Sequence, residues 1–376
     1  MSQMFDTAPD LKPTPFSPRF ADQVSEWVDG FGYAAPLAVS TSEAEYKAVR
    51  EAVGALDFSM LYKVDVEGKG ALELVNSLVT RDLRSLAPGR VAYGAVVDED
   101  GMMVDDVTSI VFSPEFVRVT GGTARLEELL RELGGVGIRV SQRREEIGHL
   151  CLQGPRSREV LAAVTDDDLS NEAFPYYTYK PRVELAGVPV HLNRLGFTAE
   201  LGYEIWVDVE HALGVWDALF AVGEPVGLIP VGAIAVMMLR IEAGLIMGDG
   251  LEYDSTVSPF ECGLGWTIDF EKGPFQGREA LLALKESAPT QLVTIRLPTG
   301  GDTASGAPLE LAGKRVGQVT MSMPSPYTGD TLGLARVTRE HAVVGTRPVA
   351  VIDDGSIEGE IVRMPVYDPD RIRVRS

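Results

Sequence analysis

Cysteine is nearly absent from this chain: Cys151 and Cys262 are the only two in 376 residues. Two distant thiols with no C-x-x-C partner exclude a disulfide scaffold and a zinc ribbon. Histidine is almost as sparse, at positions 149, 191, 211 and 341, and no two share a helical face. Neither a structural disulfide nor a metal site is expected. Also lacking is any run of about 18 uncharged apolar residues, which excludes a membrane-spanning helix. The opening MSQMFDTAPDLKPTPFSPRF has acids and prolines where a secretory signal has a basic start and an apolar run. A cytoplasmic location with no membrane partner is therefore expected. Basic residues are outnumbered, 34 against 55 acidic ones, for a net charge of −21. The acids are spread along the chain, so a nucleic-acid backbone would be repelled and is not an expected partner.

What is present is an ordinary globular composition, 45% hydrophobic and 24% charged, long enough for two or three cores. Residues 1–20 read as a proline-rich arm that lies over the surface or stays disordered. EAEYKAVREAV (43–53) has the apolar spacing of a helix, with Gly54 as its stop. A strand, KVDVEG, and a helix, ALELVNSLVT, follow. Residues 91–112, VAYGAVVDEDGMMVDDVTSIVF, predict two strands joined by an Asp-Glu-Asp-Gly turn. The strand FVRVTGG and the helix ARLEELLREL complete the first third. A similar order recurs after Cys151, with strands at VPVHLNRLG and LGYEIWVDV and helices at SREVLAAV, HALGVWDALFAV and GAIAVMMLRIEAG. Beyond Lys285 only short β-rich pieces remain, such as LVTIRLP, VGQVTMSM and LGLARV, the pattern of a small antiparallel barrel or sandwich. The expected fold class is α+β in three domains: 1–150 and 151–285, each α+β, and a β-barrel over 286–376.

Eight fragments carry a family resemblance: VREAVGALDFS (49–59), VAYGAVVDEDGMMVDD (91–106), LQGP (152–155), RLGFTAELGYEIW (194–206), RIEAG (240–244), SPFECGLGW (258–266), FQGREAL (275–281) and VGQVTMSMPSPYTG (316–329). In this order they resemble the glycine-cleavage T-protein (aminomethyltransferase) family; GFTAELGYEIW and FQGREAL are the most specific. The resemblance implies three domains around a central channel for tetrahydrofolate, with the pterin deep inside and the glutamate tail near the surface. It also implies an enzyme that transfers one-carbon groups, in a family that includes N- and O-demethylases.

Asp105 and Asp106 fall on a predicted strand, where successive side chains point to opposite faces, so one acid can face a cavity while the other caps a turn. The resemblance assigns Asp106 to the folate's reactive nitrogens, where a carboxylate stabilises an iminium-like charge or relays a proton; an acid pair in a surface turn is the alternative. It assigns Glu200 to the pterin edge, whose adjacent N–H groups one carboxylate can accept in a fork; otherwise Glu200 is a solvated loop acid. Glu204, next along the strand, reads as structural. Tyr93 matches a tyrosine near the folate, or is plain core. Trp266 matches a channel-wall position. Arg240 either touches ligand or pairs with an acid such as Glu242.

The sequence departs from the family at three places. The charged pair of its G-A-R-D stretch is replaced by Val236 and Met237. The histidine of its D-V-S-H-M is missing from Asp57-Phe58-Ser59-Met60-Leu61, and the asparagine of its V-V-N-A gives way around Gly121. The changes imply a substrate side rebuilt for a more apolar or bulkier donor, although Met237 and Met238 can equally be core filler. A lipoyl carrier protein, acidic in the family, would meet repulsion from the −21 charge, so a free small-molecule donor or acceptor is the expected partner. The readings that follow are a folate-dependent methyl or methylene transferase or demethylase, an orthodox aminomethyltransferase of glycine cleavage, or a non-catalytic folate binder.

Overall fold

The computed structural model describes residues 11–376 except 249 and 354. Three large sheets and a two-stranded hairpin, Trp27–Gly30 with Tyr33–Pro36, organise them. The first is antiparallel and five-stranded, in the order Val91–Val97, Met103–Ser113, Phe116–Gly121, Tyr62–Glu67 and Arg139–Gln142. Helices Ala71–Leu78 and Arg125–Leu133 cover one side of it, burying Leu74, Val75, Leu126 and Leu130 against Val64, Val66, Val117 and Val119. The turn residues 98–102 produce the predicted hairpin, with Val91 opposite Ile110 and Ala95 opposite Asp106.

The second sheet has six strands, in the order Thr178–Leu185, Val188–Arg194, Gly202–Asp208, Ile147–Gln153, Val53–Asp57 and Leu228–Val231. Its last pair is parallel, Leu228 against Val53. The expected boundary after residue 150 falls inside Ile147–Gln153, because Val53–Asp57 from the first stretch of chain completes this sheet. Gly54 does not stop the preceding helix, Ser42–Glu51, but sits in that strand. The arm proves to be anchored over its described part: Phe16 and Phe20 are buried against Trp216, at ring separations of 5.9 and 5.5 Å. Residues 1–10 of the arm lie outside the described residues.

The third sheet is antiparallel and seven-stranded over 290–362, around a core of Ile295, Leu309, Val319 and Val337. The helix Ala233–Glu242 joins the three parts. Every residue from Ala235 to Glu242 is buried, as expected for a helix with no solvent face. Its surroundings draw on all three sheets, including Leu56, Ala95, Met321 and Leu334. No helix among the described residues is long and apolar enough to cross a membrane.

Close packing explains the glycine in strand Val53–Asp57. A Cβ at Gly54 would lie 2.5 Å from Val49 Cγ2 and 2.6 Å from Val231 Cγ2, both on stiff β-branched side chains. Gly54→Ala should therefore destabilise the fold by about 1–3 kcal/mol, read as a lower midpoint in chemical denaturation.

Candidate functional site

A cavity of about 1380 Å³ lies between the first two sheets, bordered by the loops of 243–266 and by the C-terminal tail. Pockets for one drug-sized ligand measure roughly 300–1,000 Å³, so there is room for a large ligand and a second, small molecule.

Strand Met103–Ser113 alternates between buried and half-buried positions, and this alternation separates the two acids. Asp105 turns back into the protein and accepts the backbone N–H groups of Gly122, Thr123 and Asp106. Burial and the charge of Asp106 push its carboxyl well up, opposed by those N–H donors. Gly121 makes this turn possible, since a Cβ there would collide with Asp105 Oδ2. Asp106 lines the cavity. The Tyr93 hydroxyl donates to its Oδ2 at 2.8 Å, and the Tyr253 hydroxyl to its Oδ1. Burial raises the Asp106 carboxyl, while the two hydroxyls pull it back toward the ionised form. The result is a carboxylate fixed in direction by two phenols, suited to holding a cation or exchanging a proton.

Tyr93 and Trp266 both line the cavity, their rings 6.2 Å apart, and Trp266 is 62% exposed. The segment carrying Trp266 is pinned by Lys272, whose buried ammonium donates to the carbonyls of Asn76, Val79 and Arg81 at the end of helix Ala71–Leu78.

Two of the sequence-predicted residues lie elsewhere. Glu200 is buried away from the cavity, where it receives the Tyr367 hydroxyl at 2.5 Å and the guanidinium groups of Arg50 at 3.2 Å and Arg373 at 3.4 Å. Ala199 before it adopts φ 61°, a left-handed conformation that turns the loop inward. Its carboxylate has no free edge for a pterin. Arg240 is fully buried and pairs with Glu252 at 2.6 Å, not with Glu242.

Of the two glutamates in this motif, Glu204 lines the cavity. On strand Gly202–Asp208, Tyr203 faces the core of the second sheet and Glu204 the opposite side. Glu204 Oε2 lies 3.2 Å from His149 Nε2, and Oε1 has no hydrogen-bond partner among the described residues. The period-2 alternation of LGYEIWV held this signal, but it does not say which face meets a cavity. Tyr253, in a loop without periodicity, could not have been found from sequence pattern. Of the departures from the family, Met60, Leu61, Gly121, Val236 and Met237 all line the cavity, whereas Met238 lies in the core around the helix.

Lys63 lies near Glu204, fully buried, its ammonium donating to the carbonyls of Ser59 and Leu61. Burial lowers it to about 7, against the opposing pull of Asp57. The unfolded chain keeps this proton up to pH 10.5, so burial destabilises the folded state fully below about pH 7, and the penalty fades as pH rises to 10.5. Lys63→Met should be more stable than the parent near pH 7. The gain should shrink by about 1.4 kcal/mol per pH unit above that, as measured by denaturation at several pH values.

Comparison with known proteins agrees with this architecture. The family model described as the GCVT N-terminal domain matches residues 16–272, and that of the glycine cleavage T-protein C-terminal barrel domain matches 291–368. The chain is 31% identical to an aminomethyltransferase of Caldanaerobacter subterraneus, over 96% of this chain and 97% of that protein. It is 35% identical to one of Streptomyces coelicolor, covering 90% and 93%. It is 34% identical to a trimethylamine-oxide aldolase of Ruegeria pomeroyi over 99% of this chain, which spans 49% of that protein. Among solved structures, the glycine cleavage system aminomethyltransferase T of Bartonella henselae superposes with a TM-score of 0.86 at 24% identity, covering 96% of this chain and 99% of the other.

Proposed function

The chain belongs to the glycine-cleavage T-protein family, and from that premise we propose that it is a tetrahydrofolate-dependent one-carbon transferase acting on a small methylated amine or methoxy compound. The observation that carries this reading is the Asp106 carboxylate, held on the wall of a large cavity by two tyrosine hydroxyls. The residues around it suit a bound folate. Glu204 offers an unpaired Oε1 to a pterin's N–H edge, and Tyr93 and Trp266 offer ring faces. When bound, tetrahydrofolate supplies the nitrogen that accepts or releases the one-carbon unit. Asp106 would stabilise the positive, iminium-like charge on the one-carbon unit as it passes between donor and acceptor nitrogen, and can hold the proton exchanged at its Oδ1 or Oδ2. Tyr93 and Tyr253 fix its direction.

The donor class rests on the rebuilt wall. Met60, Leu61, Val236 and Met237 leave apolar surface where the family has charge and imidazole, so a donor with exposed methyl groups is accommodated without unpaired polar atoms. One relative is named for acting on trimethylamine oxide, a methylated amine compound. The second reading, an orthodox aminomethyltransferase, is favoured by the end-to-end match to proteins of that name. Ammonia release from glycine in the presence of the other glycine-cleavage proteins would establish it, and none is expected here.

Calorimetric titration with tetrahydrofolate tests the proposal. Saturable binding is expected, weakened by about 2 kcal/mol, or roughly 30-fold, in Glu204→Ala. Glu200→Ala should lower stability but leave the affinity of the folded protein within a few-fold. Asp106→Asn should bind folate and lose turnover with methylated amines. No binding by the parent protein would sink the reading.

A further inference from the structure

Beside the folate-sized space, strand Ile147–Gln153 places His149 and Cys151 two residues apart, hence on one face, and the neighbouring strand sets Glu204 opposite Cys151. All three are buried. Their ligand atoms converge: Cys151 Sγ to His149 Nε2 is 3.5 Å, His149 Nε2 to Glu204 Oε2 is 3.2 Å, and the three lie within 4.8 Å of one another. Zinc with bonds of about 2.3 Å to sulfur and about 2.0–2.1 Å to nitrogen or oxygen sets tetrahedral edges of roughly 3.3–3.6 Å. The two measured edges lie close to this range.

Hydrogen bonding alone does not account for the convergence. Nε2 of a neutral imidazole either donates to Glu204 or accepts from Cys151, and cannot do both. The N–H can be shared between Glu204 Oε2 and the weakly accepting Cys151 Sγ, but no arrangement gives both contacts a full-strength hydrogen bond. A cation at the centre would use all three lone pairs at once. The nearby buried ammonium does not resolve the mismatch, because Lys63 is turned to the carbonyls of Ser59 and Leu61. Asp57, whose Oδ2 is buried without a partner, adds negative charge to the same region.

We propose that His149, Cys151 and Glu204 form a three-ligand site for a zinc-class divalent cation, with its fourth position open to the cavity that His149 and Glu204 line. The proposal departs from the expectation of no metal site, because the spacing His-x-Cys puts both ligands on one face of a strand. The cation takes Oε2 of Glu204 and leaves Oε1 to the cavity, so Glu204 is shared with the folate reading while His149 and Cys151 are not.

Cobalt(II) titration of the full-length, chelator-treated protein tests it. One cobalt per chain is expected, with the intense visible bands of a tetrahedral ion and a thiolate-to-cobalt charge-transfer band. Cys151→Ala and His149→Ala should abolish or distort these bands and weaken binding at least about 100-fold, while Cys262→Ala keeps them. Circular dichroism would establish that the variants fold. A pale, six-coordinate spectrum in the parent, or an unchanged charge-transfer band in Cys151→Ala, would overturn the site. Tetrahydrofolate titration of Cys151→Ala separates the two readings: retained affinity with lost cobalt bands is the expected pair, and failure of folate binding in the parent would leave the cobalt result standing.

Discussion

The arrangement of the whole molecule depends on one buried guanidinium. Arg50, on helix Ser42–Glu51, pairs with Glu242 at 2.6 Å and Glu200 at 3.2 Å, donates to the carbonyl of Thr198, and lies 3.6 Å from the centre of the Tyr367 ring. Glu242 in turn accepts the hydroxyls of Tyr46 and of Ser325, the latter from the third sheet's region. One cation thus gathers the first helix, the loop before strand Gly202–Asp208, the central helix, the barrel and the tail. Two carboxylates around one guanidinium leave an excess negative charge, which the hydroxyls of Tyr46, Ser325 and Tyr367 and the outer Arg373 disperse. Such a cluster is costly to break, about 3–5 kcal/mol when one partner is removed, and it fixes the segments that wall the cavity.

That cluster also separates the acids that hold the fold from those that line the cavity. The acids that need counter-charges have found them in the surrounding protein, so Glu200, Glu242 and Glu252 are spent on architecture. The acids left on the cavity wall, Asp106 and Glu204 among them, are held by neutral donors or by a single imidazole contact. Their electrostatic influence stays directed at whatever enters.

Much of the fold was legible, for identifiable reasons. The helices and hairpins of the first sheet have strong periodicity and turn chemistry, and the first five of the seven strands after Lys285 are bounded by turn residues. Strand Leu228–Val231 and the hairpin Trp27–Pro36 were not seen: each strand is only four residues long, and Leu228–Val231 is partnered by the distant Val53–Asp57. Asp106, Tyr93 and Trp266, which the sequence placed at a channel through a recognisable hairpin and a motif, line the cavity. Glu200 and Glu204 could not be ranked from sequence, because both occupy one short motif and only the positive-φ turn at Ala199 separates their directions. Arg240 found Glu252, twelve residues on, through a loop whose path no pattern encodes.

The interleaved second sheet also dictates a schedule. Strand Val53–Asp57 has Ile147–Gln153 on one side and Leu228–Val231 on the other, so it emerges from the ribosome long before either neighbour. Until then its ladder of amides and its apolar Val53, Ala55 and Leu56 lack their native cover, and the first sheet must fold as an island inside an unfinished one. Pairings this distant in sequence slow folding and leave an open strand edge in the meantime. Nascent chains of this protein should therefore lean on chaperones through the middle of synthesis rather than at its end.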